Sequence, residues 1–439
     1  MRFFFTGIKG TGMSALAEIL YDRGADVRGS DITKYVFTQD GLEERGIEIL
    51  PFDAANIQPG DTVIAGLAFD DSHPELVRAR EMDDVNVYRY NEYLGHLLED
   101  YSSICVAGCH GKSTTTGLLA HILEDWQPTG YLIGDGHGHM PADAKNFVLE
   151  SCEFKRHFLA YHPDYALLTN IELDHIDYYK DLDDYISAFQ SFANQVRKKA
   201  VIFGDDPYLP NLKYPVPAVT YGMNEGNDYR GVDLVEDEHG SHLAVEYKGE
   251  KIAKLDLSES GLPFVWDSLG AFALAHELGM PADEIAARIA SFHGIARRFV
   301  IEEAGDSVLV DDYAHHPTAI SQMIRAVRKR YPGKKVVALY KPDRYSRLQY
   351  FLDRFASSLN EADESAVLDF DANIYPEDET ITVTIQDLLE RLDHGRLLSI
   401  DEPSAEILAD FGPAVYVFMS SKNIYLLKDL LKVRLEQNA

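Results

Sequence analysis

Short apolar runs bounded by glycine and proline alternate with segments of helical periodicity along the whole chain. Near its start, an apolar run from Phe3 to Thr6 precedes a helix-period segment from Met13 to Arg23 and a second short run from Asp26 to Arg28. This alternation is typical of βαβ units, in which a helix connects two parallel strands. The pattern therefore predicts an α/β protein built on parallel sheets.

The same pattern begins again twice further along the chain. An apolar run from Ser103 leads into a helix-period segment from Lys112 to Glu124, and a third block begins near Ser307. Between these blocks, residues 224–261 alternate polar and apolar positions, which predicts antiparallel hairpins added to the middle block. The third block continues with apolar runs at 335–340, 365–370 and 414–419.

Length and composition narrow the class of protein. A chain of 439 residues with 46% hydrophobic residues is long enough for two or three folded domains and is not a disordered chain. Its 41 basic and 72 acidic residues give a formal net charge of −31, the opposite of a nonspecific nucleic-acid binder. Any anionic substrate therefore needs a local concentration of backbone N–H groups, lysine, arginine or metal.

The sequence predicts no secretory signal, no membrane-spanning helix and no disulfide. The segment from Met1 to Gly7 has one basic residue and too short an apolar run for a secretory signal, and no apolar stretch reaches the length of a membrane span. We therefore expect a cytoplasmic protein that binds neither membrane nor nucleic acid. The three cysteines, Cys105, Cys109 and Cys152, lack the C-x-x-C spacing and are expected to be reduced thiols.

The first motif is a glycine-rich turn between a strand and a helix, followed by Ser30-Asp31 at the end of a second strand. Such glycines let backbone N–H groups and a helix N-terminus approach a pyrophosphate, and the acid can bind ribose hydroxyls. A tight turn without a ligand is the alternative. The candidate ligand-binding residues are Gly7, Lys9, Gly10, Gly12 and Asp31.

The second motif is another strand-to-helix turn, with the sequence Gly-Cys-His-Gly-Lys-Ser-Thr. A phosphate-binding loop needs glycines for a nest of N–H donors, a lysine for the phosphate oxygens and a hydroxyl for Mg²⁺. The loop is one residue shorter than the common G-x-x-x-x-G-K-S/T spacing, so a coincidental match is the alternative. The candidate nucleotide-binding residues are Gly108, His110, Gly111, Lys112, Ser113 and Thr114.

Two polar clusters follow other predicted strands. The segment 169–177 carries His175 among carboxylates, and Glu150 ends the strand 146–150; such side chains suit Mg²⁺ or Mn²⁺ bridging phosphates. The alternative is a solvated loop.

In the third block, two predicted strands end in polar segments, Asp311 to Pro317 and Arg344 to Arg347. If these strands are adjacent, their aromatic, histidine and arginine side chains could bind a carboxylate and stabilise a developing phosphate charge. An ordinary surface loop with paired charges is the alternative here. The candidate residues are Tyr313, His315, Arg344 and Arg347.

In this order, the four motifs resemble those of the Mur ligase family over nearly the whole chain. Further segments that carry the resemblance are Gly29 to Asp31, Thr169 to His175 and Arg297 to Phe299. The resemblance also accounts for the shortened phosphate loop, because the family uses G-T/A-H-G-K-T/S-T.

The resemblance implies three domains: an N-terminal Rossmann-like domain that holds a UDP-sugar, a central P-loop ATPase-like domain with added antiparallel strands, and a C-terminal Rossmann-like domain that brings the amino acid. We expect these domains at 1–98, 99–297 and 298–439. The implied activity is an ATP-dependent ligase of peptidoglycan precursor synthesis, with UDP-N-acetylmuramate, L-alanine and ATP as substrates. We expect a monomer or a weak homodimer.

The resemblance also implies a mechanism. The lactyl carboxylate attacks the γ-phosphate of ATP, and the amine of L-alanine then displaces phosphate from the acyl phosphate. Lys112 would neutralise the γ-phosphate, and Mg²⁺ or Mn²⁺ would be bound by Ser113, Glu150 and His175. The residues expected to hold the amino acid and the reacting groups are Tyr313, His315, Arg344 and Arg347.

Several segments depart from the family pattern. Cys109 stands where the phosphate loop usually has Thr or Ala, and the strand end near Asp369 to Glu377 lacks the family's Ala-Arg-Glu ending. The family's Gly-x-x-Asn-His or Gly-x-His-Asn element is replaced by Gly261 to Asp267, Gln-Pro-His by Lys341 to Asp343, and Gly-Ala-Gly-Asp-Ile by Ser420 to Ile424. The change at Gly261 to Asp267 removes groups that could read adenine, so weak ATP binding with relaxed nucleotide choice is expected. A second hypothesis therefore stays open: a paralogue that binds UDP-muramoyl ligands as a sensor or scaffold, with weak or no ligase activity.

Overall fold

The strands of the chain form three sheets, each built from its own stretch of sequence. The structure is a computed structural model that describes residues 1–295, 297–372 and 374–438. Within these residues the sheets have five, ten and six strands, and most neighbouring strands are parallel. The three-domain α/β fold predicted from the sequence is confirmed, whereas the limits at 1–98, 99–297 and 298–439 stay predictions.

The first sheet has the strand order β3-β2-β1-β4-β5, with every pair parallel. In such a sheet the chain reverses its winding between β1 and β4, and ligands bind beyond the carboxyl ends of the strands at that point. The elements are β1 (Arg2–Thr6), α1 (Thr11–Asp22), β2 (Asp26–Ser30), α2 (Gln39–Glu44), β3 (Glu48–Leu50), β4 (Asp61–Ala65), α3 (Pro74–Arg80), β5 (Asn86–Arg89) and α4 (Tyr90–Leu98), with a 3₁₀ turn at Ala54–Asn56.

The central sheet has the order β15-β14-β13-β12-β11-β10-β6-β9-β7-β8. Its strands are β6 (Ser102–Ala107), β7 (Thr129–Leu132), β8 (Gly138–His139), β9 (Asn146–Glu150), β10 (Tyr165–Leu168), β11 (Lys199–Phe203), β12 (Ala218–Gly222), β13 (Tyr229–Asp237), β14 (Gly240–Tyr247) and β15 (Glu250–Leu257). Its helices are α5 (Lys112–Leu123), α6 (Leu182–Ala193), α7 (Leu262–Glu277) and α8 (Ala282–Ala290), with 3₁₀ segments at Phe154–Ala160 and Leu209–Asn211. The predicted hairpins are confirmed, because β13, β14 and β15 pair antiparallel at one edge.

The third sheet has the order β16-β17-β21-β18-β19-β20, and only its edge pair β16 and β17 is antiparallel among the described strands. Its elements are β16 (Val300–Ala304), β17 (Ser307–Asp312), α9 (Pro317–Arg330), β18 (Lys335–Tyr340), α10 (Tyr345–Tyr350), α11 (Leu352–Leu359), β19 (Glu364–Leu368), α12 (Ile385–Leu389), β20 (Gly395–Leu398), α13 (Glu402–Ala409), β21 (Ala414–Met419) and α14 (Tyr425–Asn438). The strand predicted at 365–370 ends two residues earlier, where the Asp369 carboxylate accepts a hydrogen bond from the N–H of Phe370.

Apolar packing joins the first two sheets but not the third. One continuous cluster of buried side chains contains Phe5 and Leu16 of the first domain together with Val106 and Phe272 of the central domain. The buried side chains of the third sheet form two clusters of their own. The C-terminal domain therefore has its own core, against which Ile176 of the central domain packs. No described helix is long and apolar enough to cross a membrane.

Arg297 lies where the three domains meet and has a left-handed backbone, with φ of 60°. Its guanidinium lies over three rings, 5.9 Å from Phe37 of the first domain and 5.2 and 5.3 Å from Tyr313 and Tyr425 of the third. It also donates to the carbonyl of Ser420 at 3.0 Å. Cation–π contacts each contribute about 0.5–1 kcal/mol or more, so this side chain favours the observed arrangement of domains.

We predict that Arg297→Ala opens the molecule. Loss of the guanidinium removes contacts to two domains at once, so the radius of gyration measured by small-angle X-ray scattering should increase. The control is Arg391→Ala, because Arg391 pairs with Asp353 inside the C-terminal domain. Equal radii for wild type and both variants would contradict this role of Arg297.

Candidate active site

Three neighbouring strands of the central sheet bring the predicted nucleotide residues together. Strand β6 pairs with β10 on one side and with β9 on the other, all parallel. The carboxyl ends of parallel strands meet at one edge of a sheet, and the phosphate loop follows β6 at that edge. The segment containing His175 follows β10, and the segment containing Glu150 follows β9. The order of the strands therefore explains how distant parts of the sequence form one site.

The phosphate loop requires glycine at two positions. Gly108 and Gly111 have φ of 152° and 81°, and Gly111 directly precedes α5. A β-carbon at Gly108 would overlap the Thr169 hydroxyl, and one at Gly111 would overlap the Asp267 carboxylate. The loop is held to the neighbouring strand by Asn170, whose side-chain oxygen accepts a hydrogen bond from the N–H of His110 at 2.9 Å.

Lys112 is held inside this site by a buried carboxylate that the sequence analysis did not select. Its Nζ donates to the carbonyl of Gly108 at 2.6 Å and lies 3.0 Å from Glu153 Oε2. On the other side, Glu153 Oε1 lies 3.4 Å from Nε2 of His175. Burial by itself would raise the pKa of Glu153, but Lys112 and His175 lower it to about 2. Glu153 is therefore an anion that links the phosphate loop to the polar segment after β10.

Two other predicted metal ligands have different neighbours. Glu150 Oε2 accepts a hydrogen bond from the N–H of Gly134 at 2.6 Å. The buried hydroxyl of Ser113 lies 3.2 Å from an Nη atom of Arg298, which donates to it. The same Arg298 lies 4.7 Å above the ring of Tyr313. A C-terminal-domain ring is thus connected through one arginine to the phosphate loop.

Three arginines of the C-terminal domain reach three carboxylates in the segment after β10. Arg354 lies 2.6 Å from Glu172, and Arg347 lies 2.9 Å from Asp174. Arg344, the third, pairs with Asp177. Each of these carboxylates belongs to the central domain, so the ion pairs form the boundary between the two domains. In this arrangement, the guanidinium groups predicted to bind the amino acid already have anionic partners.

Arg347 is buried between two carboxylates. Besides Asp174, it makes two hydrogen bonds of 2.7 Å to the oxygens of Asp343. Asp343 also accepts from the hydroxyl of Ser421 at 2.9 Å. Burial would raise the pKa of Asp343, but Arg347 and His315 hold it well below its usual range. Asp343 stands where the family has the histidine of Gln-Pro-His, and Ser421 lies in the other replaced segment, so the two departures form one hydrogen-bonded unit.

His315 lies beside this unit as a neutral imidazole. Its Nδ1 lies 2.9 Å from the carbonyl of Tyr313. Burial, together with the charge of Arg347, lowers the pKa of His315 to about 4. A neutral imidazole keeps one lone pair, so at neutral pH His315 can accept a hydrogen bond from a bound ligand.

The five ligand-binding candidates of the first domain line one cavity of about 360 Å³. The backbone N–H of Lys9 donates to the Asp31 carboxylate at 2.7 Å, and Lys9 Nζ donates to the carbonyl of Ile32 at 2.9 Å. Aromatic side chains form another part of the wall, where Phe69 lies against Gly7 and Tyr90 against Gly12. The cavity lies at the carboxyl ends of β1, β2 and β4. The candidates that line it are Gly7, Lys9, Gly10, Gly12 and Asp31.

Comparison with known proteins gives matches over nearly the whole chain. Three family models match: the Mur ligase family catalytic domain at residues 2–102, the Mur ligase middle domain at 106–275 and the Mur ligase glutamate ligase domain at 297–419. The chain is 45% identical over 425 residues to UDP-N-acetylmuramate–L-alanine ligase of Lactiplantibacillus plantarum, covering 96% of both chains. It is 44% identical to the ligase of the same name from Pediococcus pentosaceus, again covering 96% of both.

Solved structures give the same architecture. A crystal structure of UDP-N-acetylmuramate–alanine ligase from Thermotoga maritima superposes with a TM-score of 0.83 at 25% identity, covering 100% of both chains. The MurF ligase of the same organism, solved in complex with ADP, has a TM-score of 0.68 at 21% identity, covering 88% of this chain and 98% of its own. The similarity to the MurF ligase supports the fold only.

We predict that Asp267→Asn stabilises the protein in a pH-dependent way. Burial raises the pKa of Asp267 from its ordinary 3.8 to about 8, despite the nearby charge of Arg298. Between these values the unfolded wild type has lost the proton that the folded protein keeps, so its free energy of unfolding falls by up to about 1.4 kcal/mol per pH unit. The asparagine variant lacks this loss.

Its stability advantage should therefore grow from pH 3.8 to about 8 and remain constant above that. Urea unfolding at both ends of the window measures the difference. Exposed Asp306→Asn is the control and should show a constant offset. A pH-independent difference for Asp267→Asn would mean that the carboxyl is not protonated in the folded state.

Proposed function

Because this chain belongs to the Mur ligase family, we propose that it catalyses the ATP-dependent joining of L-alanine to UDP-N-acetylmuramate. The observation that carries this proposal is 45% identity over nearly the full length to a ligase of that name. The same match favours the enzyme over a binding paralogue, and the phosphate loop, its lysine and the polar segment after β10 lie together as the reaction needs. The altered segment from Gly261 to Asp267 does not displace the loop but packs Asp267 behind Gly111.

Nucleotide binding is assigned to the phosphate loop, as family membership implies. The N–H groups around Gly111 and the start of α5 would surround the phosphates of ATP, and Lys112 would neutralise the γ-phosphate. The Glu153 carboxylate, despite the burial of Lys112, raises the pKa of its ammonium, so the cation is charged at every physiological pH. Positioning and neutralisation of charge account for most catalysis of phosphoryl transfer.

A divalent cation fits beside Glu153. Its carboxylate lies between Lys112 and His175 at the phosphate loop, and Mg²⁺ prefers carboxylate, hydroxyl and phosphate oxygens. We assign the ion to Glu153, Ser113 and His175, of which Ser113 and His175 were predicted from the sequence. Glu150, the third ligand predicted from the sequence, is replaced by Glu153 in this assignment because its carboxylate accepts a hydrogen bond from the N–H of Gly134. When bound, Mg²⁺ would neutralise and orient the phosphate groups.

The amino acid is assigned to the boundary of the central and C-terminal domains. His315 would accept a hydrogen bond from the amino group of L-alanine, which must lose its ammonium proton before it attacks the acyl phosphate. Arg344, which is partly exposed, would exchange Asp177 for the carboxylate of the amino acid. Arg347 is buried between Asp174 and Asp343, so we assign it to holding the two domains in register.

The first domain would hold the UDP-sugar in its cavity. Its glycine turn would present backbone N–H groups to a diphosphate, and Lys9 and Asp31 line the same cavity, where ribose hydroxyls would bind. The lactyl carboxylate must then reach the phosphate loop, because it is the nucleophile of the first step.

The proposed activity is tested by phosphate release from ATP with UDP-N-acetylmuramate and a panel of amino acids. We expect turnover with L-alanine and little with glycine, L-serine or D-alanine. Lys112→Ala should lower turnover by about 100-fold or more, since loss of one stabilising group at a developing charge costs about 3 kcal/mol. Lys198→Ala, on the surface beside Asp164, is the control. Binding of UDP-N-acetylmuramate without phosphate release would favour the paralogue instead.

We further predict that Glu153→Gln raises the Mg²⁺ concentration needed for half-maximal turnover. Even outer-shell changes at metal sites lower affinity by about 10- to 100-fold, and loss of a charged ligand should have at least that effect. The matched variant is Glu150→Gln, whose carboxylate bonds to Gly134. A larger shift for Glu150→Gln than for Glu153→Gln would assign the ion to the ligand predicted from the sequence.

A further inference from the structure

A second group of metal-ligating side chains lies on the other side of the phosphate loop. It consists of His110 in the loop, Glu172 after β10 and His316 at the start of α9, so it includes both the central and the C-terminal domain. One ligand atom from each residue lies within 4.8 Å of the other two. Nε2 of His110 is 2.9 Å and Nδ1 of His316 is 3.7 Å from Oε2 of Glu172.

The Glu172 carboxylate is oriented toward the two imidazoles by its other oxygen. Oε1 accepts a hydrogen bond from the hydroxyl of Thr318 at 2.7 Å and one from Arg354 at 2.6 Å. These contacts leave Oε2 facing His110 and His316. Metal-binding carboxylates in proteins are commonly fixed in this way by partners outside the ligand set.

His316 faces the same carboxylate oxygen from a buried position. Its side chain is 1% exposed, and its Nδ1 lies 3.7 Å from Oε2 of Glu172. The same Nδ1 accepts a hydrogen bond of 3.4 Å from the N–H of Thr318, which a metal bound at Nδ1 would replace.

We propose that His110, Glu172 and His316 bind a transition-metal dication of the Zn²⁺ class and thereby tie the phosphate loop to the C-terminal domain. Two imidazoles and one carboxylate are a common ligand set for zinc, with a fourth position left for water. Two imidazoles in one set disfavour Mg²⁺, which prefers oxygen ligands in octahedral geometry. The site is therefore distinct from the Mg²⁺ position assigned beside Glu153.

Binding at this site has a consequence for the domains. Because one ligand comes from the phosphate loop and one from α9, the ion can be held by all three residues only in the closed arrangement. Zn²⁺ would thus favour closure without substrate. The charge of Arg354 on the far oxygen of Glu172 opposes a second cation, so the affinity should be moderate and the binding reversible.

The test uses Co²⁺ as a spectroscopic probe on the full chain, with any histidine tag removed. Wild type should give the visible absorption of four-coordinate cobalt, lost on addition of Zn²⁺ and unaffected by excess Mg²⁺. His316→Asn should lose it, because an asparagine keeps the N-terminal cap of α9, where His316 accepts from the N–H of Thr318, but supplies no imidazole. His242→Ala removes an exposed histidine beside Asp256 and should bind as wild type does.

Calorimetry with Zn²⁺ and the thermal unfolding midpoint supply independent measurements. We expect an affinity at least tenfold weaker for His316→Asn, or about 1.4 kcal/mol, and a Zn²⁺-dependent rise in the midpoint that this variant lacks. The unfolding midpoint without metal shows whether the variant is folded. Equal Zn²⁺ binding by wild type and His316→Asn, or no four-coordinate cobalt spectrum, would overturn the site whatever the ligase activity.

Discussion

The ion pair between Lys112 and Glu153 is the interaction on which the site depends. A buried ammonium or carboxylate without a partner would cost several kcal/mol, and breaking a buried pair costs about 3–5 kcal/mol. Both residues are buried or nearly so, and they come from segments that follow different strands of the central sheet. The pair therefore fixes the segment after β9 against the phosphate loop and preserves a positive charge for phosphate. An incoming phosphate group must share Lys112 with Glu153.

The boundary between the central and C-terminal domains is different in kind from the boundary between the first two. Apolar side chains form a continuous cluster across the first two domains, whereas arginine–carboxylate pairs connect the third. Apolar packing has no charges for salt to screen, whereas partly exposed ion pairs weaken as ionic strength rises. Arg344 could exchange Asp177 for a substrate carboxylate only because water reaches this part of the boundary.

The parts of the molecule that could be predicted from the sequence are those with a local signal. Alternation of strands and helices predicted the three sheets, and the glycines with Lys112 predicted the position of the phosphate loop. Glu153 was missed because it precedes a 3₁₀ segment in which Lys155 and Arg156 have left-handed backbones, so no periodicity marks its direction. Glu150 was selected as the last residue of a strand.

Side-chain contacts between domains have no local signal in the sequence. Arg347 and Asp174 are 173 residues apart, and only the folded arrangement shows that they pair. The role of Asp343 was likewise hidden, since the sequence showed the loss of a family histidine but not the arginine that its replacement would bind. Charged residues at strand ends could be selected as functional, but their partners could not be chosen among 72 acidic residues.

The direction of the strands also determines which surface can be altered without harm. All the assigned chemistry lies at the carboxyl ends of parallel strands, so the turns that enter those strands lie at the opposite edge of each sheet. Gly24 precedes β2, and Gly333 precedes β18; both have a left-handed φ of 80°, so the residues beside these glycines, not the glycines themselves, are the positions to alter. Fluorescent labels attached beside these two turns would report the distance between the first and third domains during turnover while remaining outside the reaction they observe.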